Sequence, residues 1–114
     1  MGQPISRYQA VSFALAEAQT LLEAAQWLCY KTLWKADRGE SRTIEGAMCK
    51  WWIPEICLEI VRKCLLIHGH YGYTEDLPFE QRMRDILGWQ IGDGTAEPSK
   101  LLLARSMMGK EYVE

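Results

Sequence analysis

PFEQRMRDILGWQIGDGTAEPSKLLLAR, Pro78 to Arg105, sets two helix patterns on either side of one glycine-flanked aspartate. Pro78 fits the first position of a helix, where its missing N–H costs little. Met83, Ile86 and Leu87 give that helix an apolar side, and Gly88 is the expected stop. Helix restarts at Thr95, whose hydroxyl is placed to accept from an orphan backbone N–H as the N-cap, with Glu97 in the first turn where negative charge is favoured. The connection Trp89 to Gly94 thus holds Asp93 just ahead of a helix N-terminus, between two residues whose lack of a Cβ lets a ligand approach closely. Such a carboxylate is either a working acid or a plain turn aspartate, since Gly-Asp-Gly is also ordinary loop chemistry.

Upstream the chain reads as helical scaffold. From Pro4 to about Asp37, Tyr8, Val11, Leu15, Ala18, Leu22, Ala25, Cys29 and Thr32 recur at alternating spacings of three and four, one seam of a long helix. Phe13, Leu21, Leu28, Leu33 and Trp34 lie beside or behind it, so this helix should touch more than one neighbour. Gly39 is its expected left-handed cap. A second seam runs through Ile44, Ala47, Trp51, Pro54, Leu58, Val61, Leu65 and His68, after a cap at Ser41 or Thr43, and the two long helices should pair as an antiparallel hairpin. Pro54 removes one backbone hydrogen bond from the second helix and predicts a kink near Cys49 to Pro54, with Trp51 and Trp52 as core side chains beside it. Gly69, Gly72 and Tyr73 mark a tight turn before Pro78. Downstream, a last helix runs from Ala96 to about Met108 and stops at Gly109. No stretch alternates with period two, so the expectation is one all-α domain over residues 1–114, an up-down bundle of two long and two shorter helices.

Composition narrows the functional classes. With 114 residues, 48% of them hydrophobic and 25% charged, the chain is the size of one modest domain. A formal net charge of −2 offers no basic field for nucleic acid or an anionic membrane surface. Charges interrupt the apolar runs too often for a transmembrane span, and no N-terminal signal pattern is present, which predicts a cytoplasmic protein. Cys29, Cys49, Cys57 and Cys64 fall inside apolar helix patterns without the close pairs that zinc needs, so they read as reduced, buried thiols, and no metal site is expected.

Three motifs carry a resemblance to a known family. MGQPISRYQAVSFALAEA is similar to FGxPI followed by a long helix opening with xxQA; LLIHGHYGYTEDLPFEQRMRD is similar to QIHGGxGYxxEYPVERxxRD; QIGDGTAEPSKLLLARSMMG is similar to QIYEGTxEIxxxxIAxxxLG. In this order and at this spacing they resemble the C-terminal helical domain of the acyl-CoA dehydrogenases. The resemblance implies that Asp93 stands where the family's EGT carboxylate acts as general base on the α-proton of an acyl-CoA thioester, the β-hydrogen leaving as hydride to FAD. It implies that Thr95 and Glu97 contact FAD, and that Leu66 and His70 occupy the positions that approach the FAD of a neighbouring subunit. The usual residues at those two positions are glutamine and glycine, and the tyrosine usual before EGT is Gly92, which removes an aromatic wall from the acyl pocket. Aspartate is one methylene shorter than the usual glutamate, as in some members acting on ring-containing thioesters. Arg84 and Asp85 match the family's Arg-Asp pair.

Family members are several times longer. The first bundle helix, the N-terminal helical domain and the β-domain, which hold most of the flavin site, are expected to be absent from this chain, with Met1 standing where the FGxPI phenylalanine would be. Two functions follow from the resemblance. One is the C-terminal domain of an FAD-dependent acyl-CoA dehydrogenase, inactive and without FAD when isolated, assembling as a homo-dimer or tetramer. The other is a non-catalytic helical association module that retains the fold. The family's DNA-associated branch is disfavoured by the absence of a basic face.

Overall fold

In the computed structural model, which describes residues 2–114 and leaves Met1 and its expected motif position outside the described residues, a 29-residue helix α1 (Gln9–Asp37) follows a 3-10 turn at Ile5–Arg7. Gly39 ends α1 as expected. It lies at φ 69°, its N–H bonds the Ala36 carbonyl at 3.0 Å and the Glu40 N–H bonds Lys35 at 2.9 Å, so the last carbonyls of the helix find donors as the chain turns back.

Helix α2 (Thr43–Ile67) returns antiparallel to α1. Lys35 reaches Glu45 at 2.8 Å, Thr32 meets the Cys49 sulfur at 3.5 Å and Lys63 faces Glu17 at 3.6 Å, which fixes the register from one end of the pair to the other. The expected cap at Ser41 or Thr43 does not form. Arg42 is the N-cap, and the two hydroxyls sit 3.3 Å from each other instead of bonding the helix. Helix α2 runs through Pro54 without a break. Trp51 and Trp52 are only half-buried, so neither fills a closed core. The Lys100 ammonium lies 4.9 Å above the Trp51 ring.

A 3-10 turn at Gly69–Tyr73 leads out of α2. Gly72 is buried there, and a Cβ would run into the Leu65 carbonyl, so the turn can close on the helix end only with glycine at this point. The His68 ring donates its Nδ1–H to the Cys64 carbonyl at 2.7 Å and packs 4.7 Å from Phe79, setting the start of helix α3 (Phe79–Ile91) against the end of α2. Pro78 is the N-cap of α3, one position ahead of the expected place. Gly88 is not its stop. The helix continues for another turn and ends at Gly92, whose N–H bonds the Gly88 carbonyl at 2.7 Å. Contacts from α2 decide this, since Lys50 and Glu55 bind groups beyond Gly88.

Helix α4 (Ala96–Met108) follows α3 along the same side of α2, its Lys100 over Trp51 and its later residues beside Ser41 to Ile44. All four helices are present as expected, and there is no strand among the described residues. Helix α2 is the axis, with α1, α3 and α4 each packed on it. The result is an open layer rather than a ball. It measures 60 × 28 × 23 Å, and its radius of gyration of 17.7 Å exceeds the roughly 13 Å of a compact chain of this length. Ala25, Ala47 and Ile60 are the buried hydrophobic residues among those described, whereas Phe13, Trp27, Leu33 and Trp34 on α1 are more than half exposed. Leu21 and Leu28, expected beside them, are half covered by α2.

Candidate active site

Between α3 and α4 run four residues, Gly92 to Thr95, two of them with positive φ. Gly92 is extended at φ −62° and ψ 137°, then Asp93 takes φ 56° and Gly94 φ 107°. Asp93 is the one non-glycine residue with positive φ among those described. Aspartate tolerates the left-handed region better than most residues, yet the conformation costs on the order of 1 kcal/mol, and surrounding structure must hold it.

Helix α2 supplies that support. The Lys50 ammonium donates to the carbonyls of Trp89 and Gly92, both at 2.6 Å. A cation is favoured at the end of α3, where carbonyls lack partners and the helix dipole is negative. Five residues further along α2, Glu55 accepts from the Gln90 amide at 3.0 Å. None of Lys50, Glu55 and Gln90 was singled out by sequence reasoning. The one available signal was a lone lysine inside the apolar run AMCKWW.

Beyond the turn, Thr95 is the N-cap of α4 as expected, but its side chain does not cap the helix. The hydroxyl turns toward Glu97. That hydrogen bond, with help from Glu97's own backbone N–H and the nearby Lys100 charge, holds the Glu97 carboxyl below the usual range. In the first turn of α4 the Glu97 N–H is thus taken by that side chain's own carboxylate and Pro98 has none, which leaves the helix start few free donors for a ligand. Between α2, the end of α3 and the start of α4 lies a cleft of about 250 Å³ lined by Lys50, Trp51, Gln90, Ile91, Thr95 and Glu97. Trp51 Nε1 is buried without a partner.

Thr95 and Glu97 share this cleft, Asp93 precedes it on the turn without lining it, and all three are exposed. Leu66 and His70 are not part of this cluster. Leu66 lies sixteen residues after Lys50 on α2, roughly 24 Å along the helix axis, and both side chains are exposed at the far end of the layer. Arg84 pairs with Glu80 at 2.9 Å, not with Asp85, so the Arg-Asp motif is here an ordinary surface helix contact.

The polar groups fit one edge of a polar cofactor: the Thr95 hydroxyl and the Glu97 carboxylate at a helix start. A cleft of about 250 Å³ is smaller than the 300–1,000 Å³ typical of complete cofactor pockets, so this chain offers a part of such a site.

The family profile "Acyl-CoA dehydrogenase, C-terminal domain" matches residues 1–108. Among curated proteins, a 3-(aryl)acrylate reductase of Clostridium sporogenes is 37% identical over 106 residues, covering 93% of this chain and 28% of that protein. The caffeyl-CoA reductase-Etf complex subunit of Acetobacterium woodii is 34% identical over 109 residues, 96% of this chain and 29% of the relative. Among solved structures, the butyryl-CoA dehydrogenase of Megasphaera elsdenii superposes with a TM-score of 0.91 at 30% identity, over 95% of this chain and 28% of that one. The chain thus spans between a quarter and a third of the length of the relatives it matches.

Proposed function

The chain belongs to the acyl-CoA dehydrogenase family, matching its C-terminal domain, and from that premise we propose that it serves an FAD-dependent α,β-dehydrogenation of an acyl-CoA thioester with Asp93 as general base. The observation that carries the reading is the exposed Asp93 carboxylate, held in a left-handed turn two residues before Thr95, which with Glu97 lines the cleft. Asp93 takes the α-proton and ends protonated, while the pair of electrons from that C–H bond forms the new C=C bond as the β-hydrogen departs. FAD, when bound, supplies acceptance of the β-hydride. Thr95 and Glu97 hold the cofactor edge, and Leu66 and His70 face a cofactor edge in a neighbouring copy. The chain's oligomer is a homo-dimer or tetramer, and its setting is the cytoplasm. No described helix is long and apolar enough to cross a membrane.

A base of this kind needs its pKa near the working pH, which asks for enclosure by the rest of the enzyme. The shorter aspartate and the missing side chain at Gly92 leave room beside the α-carbon. A ring-bearing acyl group fits that room, and the aryl and caffeyl substrates in the names of two relatives support it. Run in reverse, the same carboxyl in its protonated form would deliver the α-proton in a reduction.

Asp93→Asn in the full-length flavoprotein tests the assignment. The amide keeps the shape but cannot accept the proton, so turnover is expected to be lost while FAD stays bound. Turnover close to the parent rate would remove Asp93 from the mechanism. The second reading, a helical association module without catalysis, draws on the exposed Phe13, Trp27, Leu33 and Trp34 of α1. It predicts a stable assembly that acquires no flavin even when joined to the other domains of the family.

A further inference from the structure

We infer that Lys50 is a positioning residue for Asp93, acting from α2 through the backbone of the turn. This rests on the reading of Asp93 as the base. One ammonium at 2.6 Å from both the Trp89 and Gly92 carbonyls joins the last turn of α3 to the peptide group that enters Asp93. The Gly92 carbonyl and the Asp93 N–H share one planar unit, so fixing that carbonyl fixes the orientation from which Asp93 enters φ 56°. The Gly92 N–H is tied back into α3 through the Gly88 carbonyl, so the carbonyl side of Gly92, which leads into Asp93, is held by Lys50. Gly94 has open space around it, and the Asp93 side chain makes no hydrogen bond among the described residues.

The geometry also explains why the anchor is a lysine. Three N–H donors on a flexible stem can serve two carbonyls that diverge from one helix end, and the positive charge strengthens both bonds. Without it, Asp93 is free to leave its strained conformation, because a left-handed aspartate persists only where its surroundings over-determine it. A base displaced by about 1 Å loses on the order of 10²-fold in rate while substrate contacts made elsewhere persist. The effect of Lys50 therefore falls on kcat and leaves KM nearly unchanged.

Three variants of the full-length flavoprotein, Lys50→Met, Lys50→Arg and Asp93→Asn, separate this inference from the reading beneath it. Lys63→Met, which removes an ammonium from the same helix far from the turn, is the control. Expected are a fall in kcat of roughly 10²-fold for Lys50→Met with flavin retained and KM little changed, recovery of most of the rate in Lys50→Arg, and parent-like turnover in Lys63→Met. In parallel, amide resonances of Gly92, Asp93 and Gly94 in the 114-residue chain should move in Lys50→Met and return toward parent positions in Lys50→Arg. Loss of activity in Asp93→Asn together with parent-like kcat and unmoved turn resonances in Lys50→Met would overturn the inference and leave the base assignment standing. Full activity in Asp93→Asn would instead overturn the base assignment itself.

Discussion

Replacing Gly88 by alanine asks directly whether the chain at that point is helix or helix end. In the structure Gly88 lies inside α3, has ordinary negative φ, and an added Cβ meets no atom within 4 Å. Alanine in a helix interior is favoured over glycine by roughly 0.8–1.0 kcal/mol, mainly because glycine loses more backbone freedom on folding. Gly88 sits in the last full turn of α3, where fraying discounts the gain to about 0.5–1 kcal/mol. For a chain of this size that corresponds to a rise in melting temperature of roughly 2–6 °C. Urea unfolding of the 114-residue chain followed by far-ultraviolet circular dichroism would show the midpoint move upward with unchanged slope. A glycine serving as a left-handed stop would give the opposite sign, since alanine at positive φ is strained. A destabilised Gly88→Ala would therefore refute the extension of α3 past Gly88, and with it the anchoring of the turn by Lys50.

Gly72→Ala should cost about 1–3 kcal/mol, as overpacking does, because its Cβ would meet the backbone carbonyl of Leu65; an unchanged urea midpoint would mean the turn can move aside. Glu45 accepts from Lys35, and that hydrogen bond, its own backbone N–H and the Lys35 and Lys31 charges lower its pKa against the opposing effect of desolvation. With the folded pKa below the unfolded one, its contribution is full above the unfolded value of about 4.3 and is lost as pH falls through the folded value, so Glu45→Gln should flatten the acid side of a stability–pH profile. The exposed apolar side chains of α1 predict self-association: each few hundred Å² buried at ~25 cal/mol per Å² contributes several kcal/mol before entropic costs. Sedimentation at micromolar concentration should then show a species heavier than the 13.1 kDa chain, and a monomer would mean that this surface tolerates water.

Helix periodicity made most of the fold legible. The seam residues Ala25 and Ala47 are buried where the two long helices meet, and Gly39 caps α1 with the conformation its position demands. Errors came where distant residues overruled local signals. Gly88 looks like a stop because nothing near it in sequence announces that Lys50 and Glu55, more than thirty residues earlier, will hold the next turn in place. Ser41, Thr43 and Thr95 have the chemistry of caps, but each hydroxyl is drawn to a neighbouring side chain instead. The glycine-flanked Asp93 was visible as a candidate from its turn alone, whereas its support was not, since a single lysine in an apolar helix carries no local mark of its partner. The Arg84–Asp85 pair shows the reverse case, a motif legible in sequence whose side chains do not meet.

Because α1, α3 and α4 each lean on α2 and hardly on one another, the layer has a hierarchy of opening. Helix α1 can peel away while α3, α4 and the Asp93 turn keep every contact they make with α2. Loss of α2 leaves nothing for any of them to rest on. Amide exchange should accordingly resolve two cooperative units, a labile α1 and a slower unit made of α2 with the two short helices. A partner that clamps α1 would raise the protection of the first unit without needing to alter the turn, so assembly and the chemistry at Asp93 can be tuned by separate substitutions in one short chain.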